Sequence, residues 1–368
     1  MILKDIIKKF DKSNIKAGDG LEKGNYPLYT CSPIINKYLN DYLCEDEALI
    51  ISTGGNFSMH YVNGKFNYST DCYVFNTDKY NLKYMYYYLL SKKDDINKMF
   101  RGAGLKHLNK NEFIMLNIKD ISLKEQCDIV NQLDKINEMI ELRKKEIEKC
   151  NNLIKSQFVE MFGDPKTNEK GWIKKGMGEY MTVLTDFSAN GSYKTLDSTV
   201  TMYDQPNYAY MVRTTDLENE DYKNNVKYIT EEAYNFLSKS KVYPNDIIMN
   251  KIGSAGKVYI MPDVGMPVSL GRNAFLFRYN TDIAPVFIYY LLISEYGVNE
   301  ISQYVRGAVT KTITKDDVRK IRIIVPPIEL QNKFAQIVEQ IDKQKFEFEK
   351  SLKKLEELQA SLMQEYFG

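Results

Sequence analysis

Arg101-Gly102-Ala103-Gly104-Leu105-Lys106 begins a segment that recurs 205 residues further along the chain, as Arg306-Gly307-Ala308-Val309-Thr310-Lys311. The likeness continues without a gap to Glu160-Met161-Phe162-Gly163, which returns as Glu365-Tyr366-Phe367-Gly368. Of the 63 aligned pairs, 15 are identical. A repeat of this length predicts two copies of one structural plan, each a variable module followed by a helix.

The helical part of each copy carries apolar residues at alternating spacings of four and three. This heptad pattern is typical of the a and d positions of a coiled coil. Because the offset preserves the heptad phase, we expect the two helices to pair with each other in an antiparallel arrangement. The alternative is that each helix packs only on its own module. The predicted seam comprises Ile129, Leu133, Ile136, Ile140, Ile147 and Ile154 in the first helix and Phe334, Val338, Ile341, Phe348, Leu352, Leu355 and Leu362 in the second.

Helix-breaking residues mark the ends of these helices. Pro326-Pro327 precedes the second helix, and Gly163-Asp164-Pro165 follows the first. These signals divide the chain into a module at 1–118, a spacer helix at 119–165, a second module at 166–325 and a C-terminal spacer helix at 326–368.

The modules have the pattern of a strand-rich α+β fold, in which short β-branched and aromatic runs alternate with Gly, Asn and Pro turns. The predicted strands include 71–75, 208–212, 246–249 and 274–277, and short helices are predicted at 82–90, 231–238 and 286–296. The fold class that we predict is therefore α+β, with two strand-rich modules joined by two long antiparallel coiled-coil helices.

Charge is unevenly divided along these boundaries. The chain of 368 residues has 50 Lys+Arg and 49 Asp+Glu, a net charge of +1. The two modules carry +3 and +2, however, whereas the two helices carry −2 each. The five cysteines are scattered without a CxxC pair, which argues against a disulfide framework or a zinc site and favours a reducing cytoplasm. No apolar run approaches the roughly 20 residues of a membrane helix, so no membrane partner is expected.

Catalytic motifs are mostly absent. The sequence has no GxxxxGK[ST] phosphate loop, GxSxG elbow or HExxH helix. A DNA amino-methyltransferase needs an Asn/Asp-Pro-Pro-aromatic tetrapeptide to hold a flipped base, but the Pro pair here lies in Val325-Pro326-Pro327-Ile328. We therefore predict no catalytic residues and no metal site in this chain.

The remaining chemistry is that of binding. Glycine-bearing loops with hydroxyl, amide and basic side chains recur at equivalent places in both modules, and glycine lets a backbone approach phosphate while Lys neutralises it. Arg and Asn are the side chains that read guanine and adenine in the major groove. The candidate DNA-binding residues are Ser52, Thr53, Asn56, Arg101, Lys106, His107, Arg213, Lys251, Ser254, Lys257, Arg272, Asn273, Arg306, Lys311 and Thr312.

Several motifs in this order resemble the specificity (S) subunit of type I restriction-modification systems. They are the two-fold repeat, Gly171-Trp172 at the start of the second module, the run from Val242-Tyr243-Pro244 into Gly253-Ser254-Ala255-Gly256-Lys257, and Val325-Pro326-Pro327-Ile328-Glu329-Leu330-Gln331 at the helix entry. The first copy keeps Leu123-Lys124-Glu125-Gln126, which is similar to the family's helix entry.

The resemblance implies two target recognition domains, each reading one half of a split, asymmetric DNA site, held by the paired spacer helices. It further implies double-stranded DNA, two methyltransferase subunits and restriction subunits as partners. No cofactor is expected on this chain, because S-adenosylmethionine and the ATP and Mg²⁺ of restriction belong to the partner subunits. Two other interpretations remain open: a coiled-coil scaffold whose modules bind protein or carbohydrate, and a chain that is itself a nuclease or methylase.

Overall fold

The computed structural model describes residues 1–368, which form eighteen strands and eleven α-helices. The first half of the chain forms β1 (Lys8–Lys9), β2 (Tyr26–Tyr29), β3 (Tyr38–Leu39), β4 (Cys44–Ser52), β5 (Met59–Tyr68), β6 (Cys72–Asn76), α1 (Leu82–Ser91), α2 (Lys93–Lys98), β7 (Phe100–Arg101), β8 (His107–Leu108), α3 (Lys110–Phe113) and α4 (Leu123–Phe162). The second half forms β9 (Ile173–Gly176), β10 (Met181–Asp186), α5 (Tyr193–Thr199), β11 (Ala209–Val212), α6 (Thr214–Glu218), β12 (Lys227–Ile229), α7 (Glu231–Phe236), β13 (Lys241–Val242), β14 (Ile247–Asn250), β15 (Val258–Ile260), β16 (Val268–Leu270), β17 (Ala274–Tyr279), α8 (Pro285–Ile293), α9 (Glu295–Ser302), α10 (Lys315–Lys320), β18 (Arg322–Val325) and α11 (Ile328–Phe367).

Two compact units account for the whole chain. The first unit contains residues 1–146 and 348–368, and the second unit contains residues 147–347. Each long helix therefore contributes one part to each unit. None of the helices combines the length and the apolar character that crossing a membrane requires.

The first unit is built on one six-stranded sheet with the strand order β1-β6-β4-β5-β2-β3. Its centre is the antiparallel hairpin of β4 and β5, in which Leu49 is paired with Tyr61 and Ile51 with Met59. Residues of β4 alternate between two buried clusters, one under α1 and α3 and one on the opposite face. The predicted strand at 71–75 and the predicted helix at 82–90 are confirmed as β6 and α1.

The second unit contains two four-stranded sheets, with the orders β10-β17-β14-β15 and β12-β11-β16-β13. In the second of them, β11 is paired in parallel with β16, more than fifty residues away along the chain. The strands predicted at 208–212, 246–249 and 274–277 are confirmed as β11, β14 and β17. A separate ribbon pairs β9 with β18, directly before α11.

The helices α4 and α11 are antiparallel partners. In the first unit, Nε of Arg143 donates to Oγ of Ser351 at 3.2 Å, and the Tyr366 hydroxyl donates to Oε1 of Gln132 at 2.8 Å. Lower numbers on α4 thus contact higher numbers on α11. The ring centroids of Phe158 and Phe334 lie 5.5 Å apart in the second unit.

The side chains of the predicted seam are all buried or half-buried. These interhelix contacts exclude the alternative in which each helix packs only on its own module. The predicted α+β class with two long antiparallel helices is confirmed.

Local signals explain where these helices begin and end. The Ser122 hydroxyl accepts the N–H of Glu125, whose carboxylate accepts the N–H of Ser122, so a capping box starts α4. Gly163, with φ of +74°, follows its last residue, as expected for a left-handed helix end. Helix α11 begins directly after the two prolines.

A buried glutamine near the start of each long helix holds the neighbouring short helix. Oε1 of Gln331 accepts the N–H of Ala284 at 2.9 Å, and its amide donates to the carbonyls of Pro326 and Asp282. In the first unit, Oε1 of Gln126 accepts the N–H of Asn81 at 2.8 Å. Both donors are the residues that cap α8 and α1, so the two glutamines, 205 positions apart in the repeat, make the same contact.

Replacing Gln331 by Leu should lower the free energy of unfolding of the second unit by about 1–3 kcal/mol, because the buried N–H of Ala284 loses its acceptor. Chemical denaturation followed by circular dichroism measures this loss. The matched control is Gln340→Leu, an exposed position on the same helix, which should change stability by less than about 0.5 kcal/mol. Equal stability of the two variants would contradict the role assigned to Gln331.

Candidate nucleic-acid interface

In each unit, a glycine-containing loop follows one central strand. The first glycine loop, residues 52–56, follows β4, and the second, residues 250–257, joins β14 to β15. Gly55 and Gly253 have φ of +80° and +81°, a conformation that side chains disfavour. The two loops therefore share a left-handed glycine as well as their place in the fold.

A hairpin with a tight turn lies beside each glycine loop. In the first hairpin, residues 101–107, Arg101 is paired with His107, and in the second, residues 306–312, Arg306 is paired with Thr312. A Cβ on Gly102 or Gly307 would lie 2.4 or 2.1 Å from the carbonyl oxygen three residues later. Only glycine permits this turn.

An acidic residue at the equivalent place of the repeat holds the arginine of each hairpin. Arg101 contacts Glu112 at 2.7 Å, and Arg306 contacts Asp317 at 2.9 Å. Asp317 also caps α10, and hydrogen bonds from Thr314 hold the pKa of its carboxyl below the usual value for Asp. The ion pair of each arginine thus fixes its guanidinium at the base of the hairpin.

Backbone hydrogen bonds join loop and hairpin into one surface in each unit. The N–H of Gly55 donates to the Lys106 carbonyl at 2.9 Å, and that of Gly253 donates to the Lys311 carbonyl at 2.9 Å. We call these the first and second loop-hairpin surfaces, formed by residues 52–56 with 101–107 and by residues 250–257 with 306–312. The structure therefore brings together, in both units, the two groups of candidates that the sequence placed far apart.

The candidate side chains of the first surface have two different positions. Asn56, Arg101, Lys106 and His107 are exposed. Ser52 and Thr53 are buried, and their hydroxyls donate to the carbonyls of Asn56 and Asp71. These two hydroxyls shape the loop, whereas the exposed side chains face solvent.

The second surface shows the same division. Lys257, Arg306, Lys311 and Thr312 are exposed, and Ser254 is half-buried. Lys251 is largely buried, and its ammonium contacts Asp186 at 2.7 Å. Asp186 also accepts from Lys315 at 2.9 Å, so Lys251 is held inside the unit.

The remaining three candidates line a cavity of about 270 Å³ in the second unit. The guanidinium of Arg213 contacts Asp216 at 2.6 Å, and the hydrogen bonds that it donates to that carboxylate raise the pKa of Arg213. Arg272 is exposed and paired with Asp197. Asn273 is also exposed, and its carbonyl accepts the N–H of Lys251, which connects this cavity to the second glycine loop.

Sequence reasoning missed a group of lysines beside the first surface. The ammonium groups of Lys9 and Lys110 lie 5.5 and 5.9 Å from the ring centroid of Tyr73. Burial, with the positive charges of Lys9 and Lys12, lowers the pKa of Lys110. The repeat contained this signal, since Lys110 and Lys315 are equivalent, but of the two only Lys315 forms an ion pair with an Asp.

The structure contains no group of three or more His, Cys, Asp or Glu side chains placed to hold a metal ion. The family model described as the type I restriction modification DNA specificity domain matches residues 1–152 and 183–360. The chain belongs to this family. The two matched segments each contain one glycine loop and one hairpin, so the family assignment covers both loop-hairpin surfaces.

Relatives within this family support the same assignment. The chain is similar to the type I restriction enzyme MjaVIII specificity subunit of Methanocaldococcus jannaschii, with 24% identity over 294 residues that cover 74% of this chain and 68% of the relative. It is also similar to the type I restriction enzyme EcoDI specificity subunit of Escherichia coli, with 23% identity over 147 residues that cover 40% of this chain and 33% of the relative.

Two solved structures show the same fold. The S subunit of a type I restriction-modification system from M. genitalium has a TM-score of 0.65 at 15% identity, covering 99% of this chain and 94% of that one. A structure concerned with complex assembly and conformational transition of the type I R-M system has a TM-score of 0.53 at 15% identity, covering 100% and 96%. The resemblance seen in the sequence is confirmed, and the chain is a type I DNA specificity subunit by family.

Proposed function

We propose that this specificity subunit recognises a bipartite, asymmetric DNA site, with each loop-hairpin surface reading one half. The observation that carries the proposal is the repetition of that surface: the same glycine turn, arginine hairpin and backbone bonds occur in both matched segments. Side chains at equivalent places differ, since His107, paired with Arg101 in the first hairpin, is replaced by Thr312, paired with Arg306 in the second. Two copies of one scaffold with different side chains suit two different half-sites.

The exposed side chains divide into two chemical roles. Lys106, Lys257 and Lys311 are exposed ammonium groups without an acidic partner, and such groups contact phosphates. Asn56, Arg272 and Asn273 carry the amide and guanidinium groups that form paired hydrogen bonds with adenine and guanine edges. Phosphate contacts position the chain, and base contacts supply the choice of sequence.

The chemical reaction belongs to partner subunits in this proposal. We assign two methyltransferase subunits that bind S-adenosylmethionine and methylate adenine, and restriction subunits that use ATP and Mg²⁺. Support comes from the relatives, which are named as specificity subunits of type I restriction enzymes. This chain itself would hold no cofactor and would supply target choice.

Exchanging residues 166–325 for those of a related specificity subunit should change one half of the methylated site and leave the other half unchanged. The measurement is the methylome of cells that express the chimaera with the partner subunits. The reciprocal exchange of residues 1–118 is the matched control and should change the opposite half. A change of both halves in either chimaera would contradict the assignment of one half-site to each unit.

DNA binding by the assembled complex separates this proposal from a scaffold that binds protein or carbohydrate. The complex should shift a duplex that contains its methylated site, and the shift should weaken steeply with added salt, because phosphate contacts release counterions. Failure to shift any genomic fragment at low salt would overturn the proposal in favour of the scaffold.

A further inference from the structure

The most exposed large apolar side chain of each unit lies at the tip of its hairpin. Val309 is 98% exposed in the second unit, and Leu105 is 77% exposed in the first. They occupy adjacent rather than identical places in the repeat, as the fourth residue of Arg306-Gly307-Ala308-Val309-Thr310-Lys311 and the fifth of Arg101-Gly102-Ala103-Gly104-Leu105-Lys106. An apolar side chain that stays in water gains none of the free energy that its burial would supply, and neither tip is buried within the chain.

The hairpins hold these tips away from the core. The turn in each depends on a glycine with positive φ, Gly102 at +147° and Gly307 at +104°. The arginine at the base is fixed by its ion pair, and the backbone on the other side is bonded to the glycine loop. The tip residues are therefore presented by a braced turn, and their exposure is a property of the fold.

Cations flank both tips. Lys106 follows Leu105 directly, and Lys311 lies two residues after Val309; both are exposed. In the second unit, Lys257 and Lys311 line the same cleft of about 590 Å³. An apolar tip beside an exposed positive charge complements a DNA groove, where phosphates lie along the rims and base edges, including the thymine methyl group, lie between them.

We propose that Leu105 and Val309 are apolar groove contacts, each entering the groove of one DNA half-site and packing against base edges while Lys106 and Lys311 contact the flanking phosphates. This inference rests on the proposed function, because it requires that both loop-hairpin surfaces face DNA. It adds two specificity residues that carry no polar group, which a search for hydrogen-bonding side chains passes over. Apolar side chains of this kind contact thymine methyls or open base steps in other DNA-binding proteins.

The test compares polar and apolar replacements at the two tips in the complex with its methyltransferase partners. The probe is a fluorescent duplex that carries the site found by methylome sequencing, and binding is followed by anisotropy across a series of salt concentrations. Leu105→Ser and Val309→Thr should each weaken binding to the specific duplex about tenfold, the size expected when part of a buried aliphatic side chain is lost. The conservative variants Leu105→Met and Val309→Ile should bind like the unaltered protein.

Two features distinguish this mechanism from a general loss of affinity. The slope of log affinity against log salt should stay unchanged, because no charge is removed. Each polar variant should also become less sensitive to base changes in one half-site only, the first half for one variant and the second half for the other. Ile34→Ser, which alters a residue 70% exposed in the first unit but outside its hairpin, is the matched control and should have no effect.

The groove contacts and the proposed function can be contradicted separately by this experiment. Unaltered binding by both polar variants, with a normal shift by the parent complex, would overturn the groove contacts and leave the proposed function intact. Weakened assembly with the methyltransferase subunits together with normal DNA affinity would show that the tips contact protein, which also overturns the inference. Absence of any shift by the parent complex would overturn the proposed function and this inference with it.

Discussion

Replacing Phe367 by Ala should lower the free energy of unfolding of the first unit by about 3–5 kcal/mol, the range measured for buried Phe→Ala changes. Phe367 is the last residue of α11 and is 2% exposed. Its ring centroid lies 5.5 Å from that of Tyr84 and 5.9 Å from that of Tyr88, both on α1. The substitution would leave a cavity where the C-terminal end of the chain packs on the first module.

The repeat supplies an equivalent substitution in the second unit. Phe162 ends α4, is fully buried and lies 4.7 Å from Phe287 on α8 and 5.5 Å from Phe334. Calorimetry of Phe367→Ala and Phe162→Ala should therefore shift the transitions of different units. Phe346→Ala, at a residue 61% exposed on α11, is the control and should shift neither by more than about 0.5 kcal/mol. A loss no larger than that of the control would contradict the packing role of either residue.

The sequence predicted this part of the structure well, because local signals and long periodicity agree there. The heptads of α4 and α11 run over about ten turns, and the predicted helix ends carry the Pro pair and Gly163. Phe162 and Phe367 were visible as the end of the repeat. The sequence did not indicate which module each ring packs against, because an aromatic residue at a helix end does not specify its packing partner.

The sheets were predicted only as individual strands. The first unit has one six-stranded sheet, whereas the second has two four-stranded sheets. Pairings such as β11 with β16 join segments that are distant in sequence. Side-chain alternation predicts which face of a strand is buried, but not which strand lies beside it. The order of strands is therefore a property of tertiary packing that strand patterns leave open.

The candidate site was predicted in outline for a similar reason. Glycine loops and arginine hairpins are local motifs, and the repeat placed them at equivalent positions. Lys251 was predicted to meet DNA, but it is held by Asp186, 65 residues earlier in the chain. A long-range ion pair of this kind leaves no local pattern, so the sequence could not separate structural cations from exposed ones.

A second large loss of stability is expected when the ion pair between Lys251 and Asp186 is broken. Replacing Asp186 by Asn should lower the free energy of unfolding of the second unit by about 3 kcal/mol, because breaking a buried ion pair leaves an uncompensated charge. Asp186 is 6% exposed and accepts hydrogen bonds from both Lys251 and Lys315. Both ammonium groups also lie within about 6 Å of the Phe275 ring, so Asn would leave two cations facing each other over an apolar surface.

The stability lost in Asp186→Asn should be larger at neutral pH than in acid. Burial alone would raise the pKa of Asp186, but hydrogen bonds and positive charge from Lys251 and Lys315 hold that pKa below the usual Asp value. A carboxyl whose pKa is lowered by folding stabilises the protein above its unfolded pKa of about 3.9, and this contribution is lost as pH falls below that value. Asp186→Asn should therefore cost most at neutral pH, and the difference between variant and parent should shrink in acid below about pH 4.

A double variant tests whether unpaired charge is the cause. Lys251→Met removes the more buried of the two cations, whose side chain is 15% exposed, and should recover most of the stability that Asp186→Asn loses, because one lysine alone has no like charge beside it. Urea denaturation of both single variants and the double variant gives the coupling energy. Asp197→Asn, which breaks the exposed pair with Arg272, is the matched control and should cost at most about 1 kcal/mol. If the double variant were no more stable than Asp186→Asn, the loss would come from altered geometry at the end of β10 rather than from charge.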